Sequence, residues 1–193
     1  MIALSSKSQS GFNGEIHFGG ITSQVDGDNY GGFNKFGYHI GFITSKSINT
    51  KLDWYLGLQW ATKGSFKPSE PDKGIFNTYR IKLNYAQVPI GVRYFYKKIN
   101  LEGGLTLGVL TSSYEEDQIG EINPTTLNYN PFELAYTLGL SYPITDKFNI
   151  GLWQSRSILP IANSLELTTF GLFGGSFNHV LYFNLNYKFL KKG

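Results

Sequence analysis

Residues able to do chemistry are spread along the whole chain. Glu15, His17, His39, Asp53, Gln59, Gln87, Arg93, Glu102, Glu133, Asn184, Asn186 and Lys188 each alternate with large apolar neighbours. Gathered on one side of a wall, they could pass or sense protons or small solutes. The favoured reading is an internal plug of hydrogen bonds and ion pairs, since an eight-strand lumen is just filled by side chains. The plug requires Arg93, Lys63 and Lys188 to find carboxylates, because an isolated buried charge is costly. Glu102 or Glu133 is the expected partner of Arg93. His179 with Ser176, Ser155 and Glu166 offers the residue types of a hydroxyl nucleophile activated by a histidine. Nothing in their spacing fixes a geometry, and a lone histidine is more often simply tolerated. Glu115, Glu116, Asp117 and Glu121 carry enough charge for Ca²⁺, but in the spacing of no defined site. A solvated acidic loop is the expectation there, with no metal and no cofactor.

The elements that must position these groups are strands, since a period of 2 dominates from residue 11 to 189. Between Lys51 and Lys63, Leu52, Trp54, Leu56, Leu58 and Trp60 share one face, while Asp53, Tyr55, Gly57, Gln59, Ala61 and Lys63 share the other. Leu101, Leu105, Leu107 and Val109 oppose Glu102, Gly104, Thr106 and Gly108 in the same way, and Leu181, Phe183, Leu185, Tyr187 and Phe189 oppose Tyr182, Asn184, Asn186 and Lys188. Only the stretch 79–97 is irregular. Ile81, Leu83 and Tyr85 keep one phase, and Ala86, Val88, Ile90, Val92 and Tyr94 keep the other, which predicts a β-bulge near Asn84–Ala86 beside Pro89. Long polar connections around 24–34, 64–78, 113–131 and 157–176 alternate with short ones around 45–50, 97–99 and 143–147.

With 193 residues there is room for one domain, expected over 11–189. Residues 1–10 read as a signal-peptide remnant or a disordered N-terminus, and 190–193 as a short basic tail. Charged residues are 16% of the chain, against about 25% in a typical soluble protein. Mean hydropathy is −0.19, and no run approaches the ~18 apolar residues of a spanning helix. A net charge of +3, evenly scattered, does not argue for nucleic acid. The bulky residues are on one face and Gly, Ala, Ser and Thr on the other, with aromatics such as Trp54, Trp60, Tyr136, Tyr142 and Tyr187 toward strand ends. A soluble barrel would turn its large side chains inward; small inward residues and large outward ones suit lipid. The fold class is therefore all-β: an eight-stranded antiparallel up-and-down transmembrane barrel with an apolar exterior and a polar plugged interior. Its place is the bacterial outer membrane, with short turns and both termini in the periplasm.

The stretch Leu83-Asn-Tyr-Ala-Gln-Val-Pro-Ile-Gly-Val-Arg-Tyr-Phe95, with Trp54-Tyr-Leu-Gly-Leu-Gln-Trp60 before it and Leu101-Glu-Gly-Gly-Leu-Thr-Leu-Gly108 after it, resembles the PorT-like outer-membrane β-barrel family of Bacteroidota. The resemblance covers roughly 11–189 and supplies no catalytic residues. It implies a barrel that acts with type IX secretion or another envelope complex. Apolar residues in two of the long connections agree with a docking role. Ile158, Leu159, Ile161, Leu165, Leu167, Phe170, Leu172 and Phe173 lie in the last, and Tyr114, Ile119, Ile122, Leu127 and Tyr129 in the acidic one. The same residues could instead fold over one another as a lid. The expected partners are outer-membrane lipid and another outer-membrane or surface protein. The expected role is a non-enzymatic structural or accessory subunit; the alternatives are a lipid-A-modifying enzyme and a narrow channel.

Overall fold

The computed structural model describes residues 11–27, 32–69, 71–74, 76–123, 125, 127–163 and 174–190. The expectations for residues 1–10 and for most of the basic tail lie outside them. The strands are β1 (Asn13–Asp26), β2 (Lys35–Asn49), β3 (Leu52–Lys67), β4 (Tyr79–Tyr96), β5 (Ile99–Asp117), β6 (Phe132–Pro143), β7 (Phe148–Ser157) and β8 (Phe177–Leu190), with one turn of 3-10 helix at Pro71–Lys73. Each pairs antiparallel with its chain neighbour, and β8 returns to β1 from Asp26↔Phe177 to Gly14↔Leu190, closing the barrel. Closure leaves no sheet edge, as hydrocarbon demands of any spanning β-structure.

Alternation puts the two faces of the wall in opposite surroundings. Leu58 is 62% exposed and Leu107 57%, whereas their neighbours Gln59 and Thr106 are 6% and 3% exposed. Most bulky apolar residues thus face outward and most small and polar ones inward, with two buried apolar layers as exceptions. Small inward residues are a steric need where strands lean together. A Cβ on Gly139 of β6 would run into the indole of Trp153 on β7.

The fourth strand corrects the sequence reading. Its inward side is continuous through Ile81, Leu83, Tyr85, Gln87, Pro89 and Arg93, so its phase never switches. The irregularity is real but belongs to the partner: Asn84 pairs with Ser112 and Tyr85 with Leu110, leaving Thr111 as the extra residue on β5. Thr111 Oγ1 donates to the carbonyl of Asn84 at 2.9 Å. Below the bulge the even residues of β5 point inward; above it Glu115 does. Ile81, Leu83 and Tyr85 look lipid-facing because they are apolar. They instead fill an apolar layer at the long-loop end of the interior.

Above the bulge the outer surface of the wall changes character. Thr62 donates to Asn84 at 2.9 Å, and Asn84 to Ser112 at 2.8 Å, a polar row across β3, β4 and β5. Lys82 and Arg80 follow on the same face of β4. The short connections are tight. The β4–β5 turn is Lys97–Lys98 alone, and Lys97 takes φ 54°, a left-handed conformation that favours glycine.

Candidate functional site: the filled interior and its outer seal

From the short turns inward, the first layer is built on Arg93. Its Nη1 and Nη2 donate to the two carboxylate oxygens of Glu15 at 2.7 and 3.2 Å, and its Nε lies 3.2 Å from Glu102 Oε1. Glu102 also accepts from Ser141 Oγ at 2.8 Å. Arg93 stands directly across from Glu102 on β5 and Asp53 on β3, while Glu15 reaches it across the lumen from β1. Glu133 is not its partner. Lys188 is opposite Glu15 in register. With Asp53, Asn13 and Asp146 it lines a cavity of about 600 Å³ that opens at the short-turn end and stops at Arg93.

Above this, His17 and His39 pack with ring centroids 5.5 Å apart. Trp153 meets His17 edge-on at 5.6 Å, and Tyr182 meets His39 at 5.1 Å. Ile21, Ile43, Tyr55, Ala61 and Val180 complete this layer. The void beside it, bounded by Tyr55, Gln59, Pro89 and Trp153, is about 10 Å³, room for at most one water.

The third layer centres on Glu133. Lys63 Nζ and Gln87 Nε2 donate to its Oε2 at 2.7 and 3.0 Å, while Ser157 Oγ and Asn178 Nδ2 donate to its Oε1 at 2.7 and 2.9 Å. Gln59 extends the network by donating to Gln87 at 2.9 Å. Four donors on one buried carboxylate, one of them charged, meet the condition under which a charge survives away from water.

The outer layer is apolar: Val25, Ile81, Leu83, Tyr85, Leu127, Ile161 and Ala162 pack together. Loop residues enter it because a carboxylate holds them down. Glu115 is fully buried and accepts from Tyr79 OH and Tyr129 OH, each at 2.7 Å, and from the Leu127 N–H at 3.3 Å. Burial, and then the bond it donates to Glu115, push the Tyr129 phenol well above the usual range. Tyr129↔Ala162 and Ala162↔Ser176 bridges tie the β5–β6 and β7–β8 connections together across the barrel's end.

The residues weighed for a metal site and for a nucleophile lie apart. Glu115 points into the barrel, Glu116 points out to Arg80 at 2.7 Å, and Asp117 caps the backbone N–H groups of Ile119 and Gly120. Among the described residues no acidic cluster has the arrangement of a metal site. The reason is alternation: adjacent carboxylates on a strand must diverge. His179 is on the outer surface, with Gln154 at 3.0 Å and Asp26 at 4.0 Å, whereas Ser155 and Ser176 are buried inside the wall; Glu166 lies outside the described residues. Of the candidate docking residues, Ile158 and Leu159 are exposed at 37% and 43%, but Ile161 is fully buried in the seal. Leu165, Leu167, Phe170, Leu172 and Phe173 lie outside the described residues.

Sequence reasoning offered a lid of these loops as an alternative to docking, but missed the Glu115 latch that seats it. Tyr79, Tyr129, Ser157 and Asn178 carry no motif. Ile81 and Leu83 did offer a signal, the parity they share with Gln87 and Arg93.

A closed eight-stranded wall, apolar outside and ion-paired inside, defines a bacterial outer-membrane β-barrel. The sequence profile of the outer membrane protein beta-barrel domain matches residues 5–163, and the chain belongs to that family. Among solved structures it is similar to Ail, the attachment invasion locus protein of Yersinia pestis, with a TM-score of 0.52 and 17% identity over 92% of this chain and 98% of that one. It is also similar to Neisserial surface protein A, with a TM-score of 0.55 and 8% identity over 93% and 99%. At such identities the likeness is one of fold. No curated protein matches the sequence at a significant level.

Proposed function

We propose that this barrel is a non-conducting accessory subunit of an outer-membrane assembly, docking a surface or outer-membrane protein through its long connections. One observation carries the reading. The interior is occupied from Arg93 through the His17–His39 layer to the Glu115 latch, so solute passage has no route along it. With no nucleophile beside His179 among the described residues, the long-loop end is left as the interactive surface. Ile119 is 88% exposed there, Phe76 69% and Phe132 71%. In this reading the short turns and both termini are periplasmic, as is general for such barrels. The likeness of the Leu83–Phe95 and Trp54–Trp60 stretches to the PorT-like barrels of Bacteroidota supports a partner in type IX secretion or a related envelope machine.

The test is native purification in mild detergent with crosslinking. A stable partner that is lost on replacing Ile119, Ile158 and Leu159 by Ser is the expected result. A protein that remains monomeric, and whose deletion changes the mass of lipid A, would point to the enzyme instead. In planar bilayers the expected outcome is no discrete conductance steps; reproducible steps would favour the channel.

A further inference from the structure

The short-turn end of the wall carries lysines that no carboxylate neutralises among the described residues. Lys46 is among the last, turn-proximal residues of β2, Lys51 is in the β2–β3 turn, Lys97 and Lys98 make the β4–β5 turn, and Lys147 is in the β6–β7 turn. The carboxylate among the described residues of these turns is Asp146, and no ion pair joins any of these lysines to an acid among the described residues. The long-loop end differs. There the outward arginines Arg80 and Arg156 are neutralised by Glu116 at 2.7 Å and Asp26 at 3.0 Å, and Lys82 is the outward β4 cation left without an ion pair among the described residues.

The lysines also sit at a defined height. Lys46 Nζ lies 5.4 Å from the centre of the Phe12 ring, which meets Trp54 edge-on at 6.0 Å. Lys97 Nζ lies 5.4 Å from the Tyr96 ring. Lys147 precedes Phe148, which packs on Tyr187 at 5.1 Å. An aromatic belt bounding an apolar wall marks the level where hydrocarbon gives way to headgroups, so these ammonium groups are level with lipid phosphates. Lys97 is informative in another way. The first residue of a two-residue hairpin turn at positive φ is ordinarily Gly or Asn, yet here it bears a charge.

We propose that this rim binds the headgroups of anionic phospholipid, of the phosphatidylglycerol class, in the leaflet around the short turns. Which leaflet that is rests on the orientation given above; the binding itself does not. The occupant follows from three features together: unneutralised positive charge, continuity with the lipid-facing wall, and a spread over separate turns that suits several small headgroups around the barrel.

The experiment uses the whole protein in neutral detergent, with phosphatidylglycerol or phosphatidylethanolamine added and retained lipid counted by native mass spectrometry. Retention of phosphatidylglycerol by the wild type is expected to exceed that of phosphatidylethanolamine by at least about tenfold, since each lysine near an anionic surface contributes about fivefold. Replacing Lys46, Lys51, Lys97, Lys98 and Lys147 by Gln should abolish the preference, and replacing them by Arg should keep it. Arg80→Gln with Lys82→Gln, at the other end, should leave it unchanged. Lys97→Gly guards against simple misfolding, because it should stabilise the turn while weakening the preference. Equal retention of both lipids by the wild type overturns the proposal, as does a preference that survives the five Gln substitutions. Labelling of Lys98 in intact cells reads the orientation separately, so either idea can fail without the other.

Discussion

Glu133 shows how a charge is held inside this wall. Its four donors come from β3, β4, β7 and β8, and Lys63 is the charged one. Lys63→Ala should therefore destabilise the barrel by about 3–5 kcal/mol, because it strands a buried carboxylate. Lys63→Met combined with Glu133→Gln should recover most of that loss. Urea unfolding of both variants in lipid vesicles measures the difference, and equal losses would mean that the ion pair itself supplies the stability. Gly139→Ala is a steric counterpart: its methyl group collides with the Trp153 indole, so lower stability is expected, with partial rescue by Trp153→Phe. At this scale alternation marks Glu133 and the other polar residues as inward, but does not give their pairings. Glu15 and Arg93 are 78 positions apart, and they meet only because the slant of the strands brings β1 opposite β4 across the lumen.

Among the elements, β3 was the most legible, because its apolar face runs unbroken from Leu52 to Trp60. Its hydrogen-bonded neighbour β4 misled, since apolar side chains at Ile81, Leu83 and Tyr85 read as lipid-facing. Parity was the better guide: a strand that keeps Gln87 and Arg93 inside must keep Tyr85, Leu83 and Ile81 inside too. The bulge at Thr111 could not be assigned to β5 from sequence, because either strand of a pair can carry the extra residue. The connection 113–131 read as a solvated acidic loop whose apolar residues dock a partner or form a lid, and its latch was invisible because Glu115 is in fact a strand residue. Tyr129→Phe removes one donor from Glu115 and should free that connection, speeding limited proteolysis within 118–131 while the barrel stays folded. The pH dependence has a definite sign. Both the seated and the opened loop keep the phenol protonated below its ordinary pKa of about 10, so protection is constant there. Above that value the opened loop ionises first, because the seated Tyr129 has the raised pKa, and protection should fall as pH climbs further. Protection lost between pH 7 and 9 would contradict the latch.

For the whole molecule, the account depends on two surfaces of one wall. The outer surface places Leu58, Leu107 and Leu140 where hydrocarbon must be, and the inner one is packed with side chains from Arg93 to the Glu115 latch. The chain has no cysteine, so single Cys substitutions carrying a nitroxide label can report each surface in turn. Labels replacing Leu58, Leu107 and Leu140 in reconstituted vesicles should be relaxed strongly by oxygen, which concentrates in lipid, and weakly by a water-soluble nickel chelate. A label at Thr106 should be reached by neither. The opposite pattern, with the outward leucines open to nickel or Thr106 relaxed by it, would contradict a lipid-facing exterior around a filled interior.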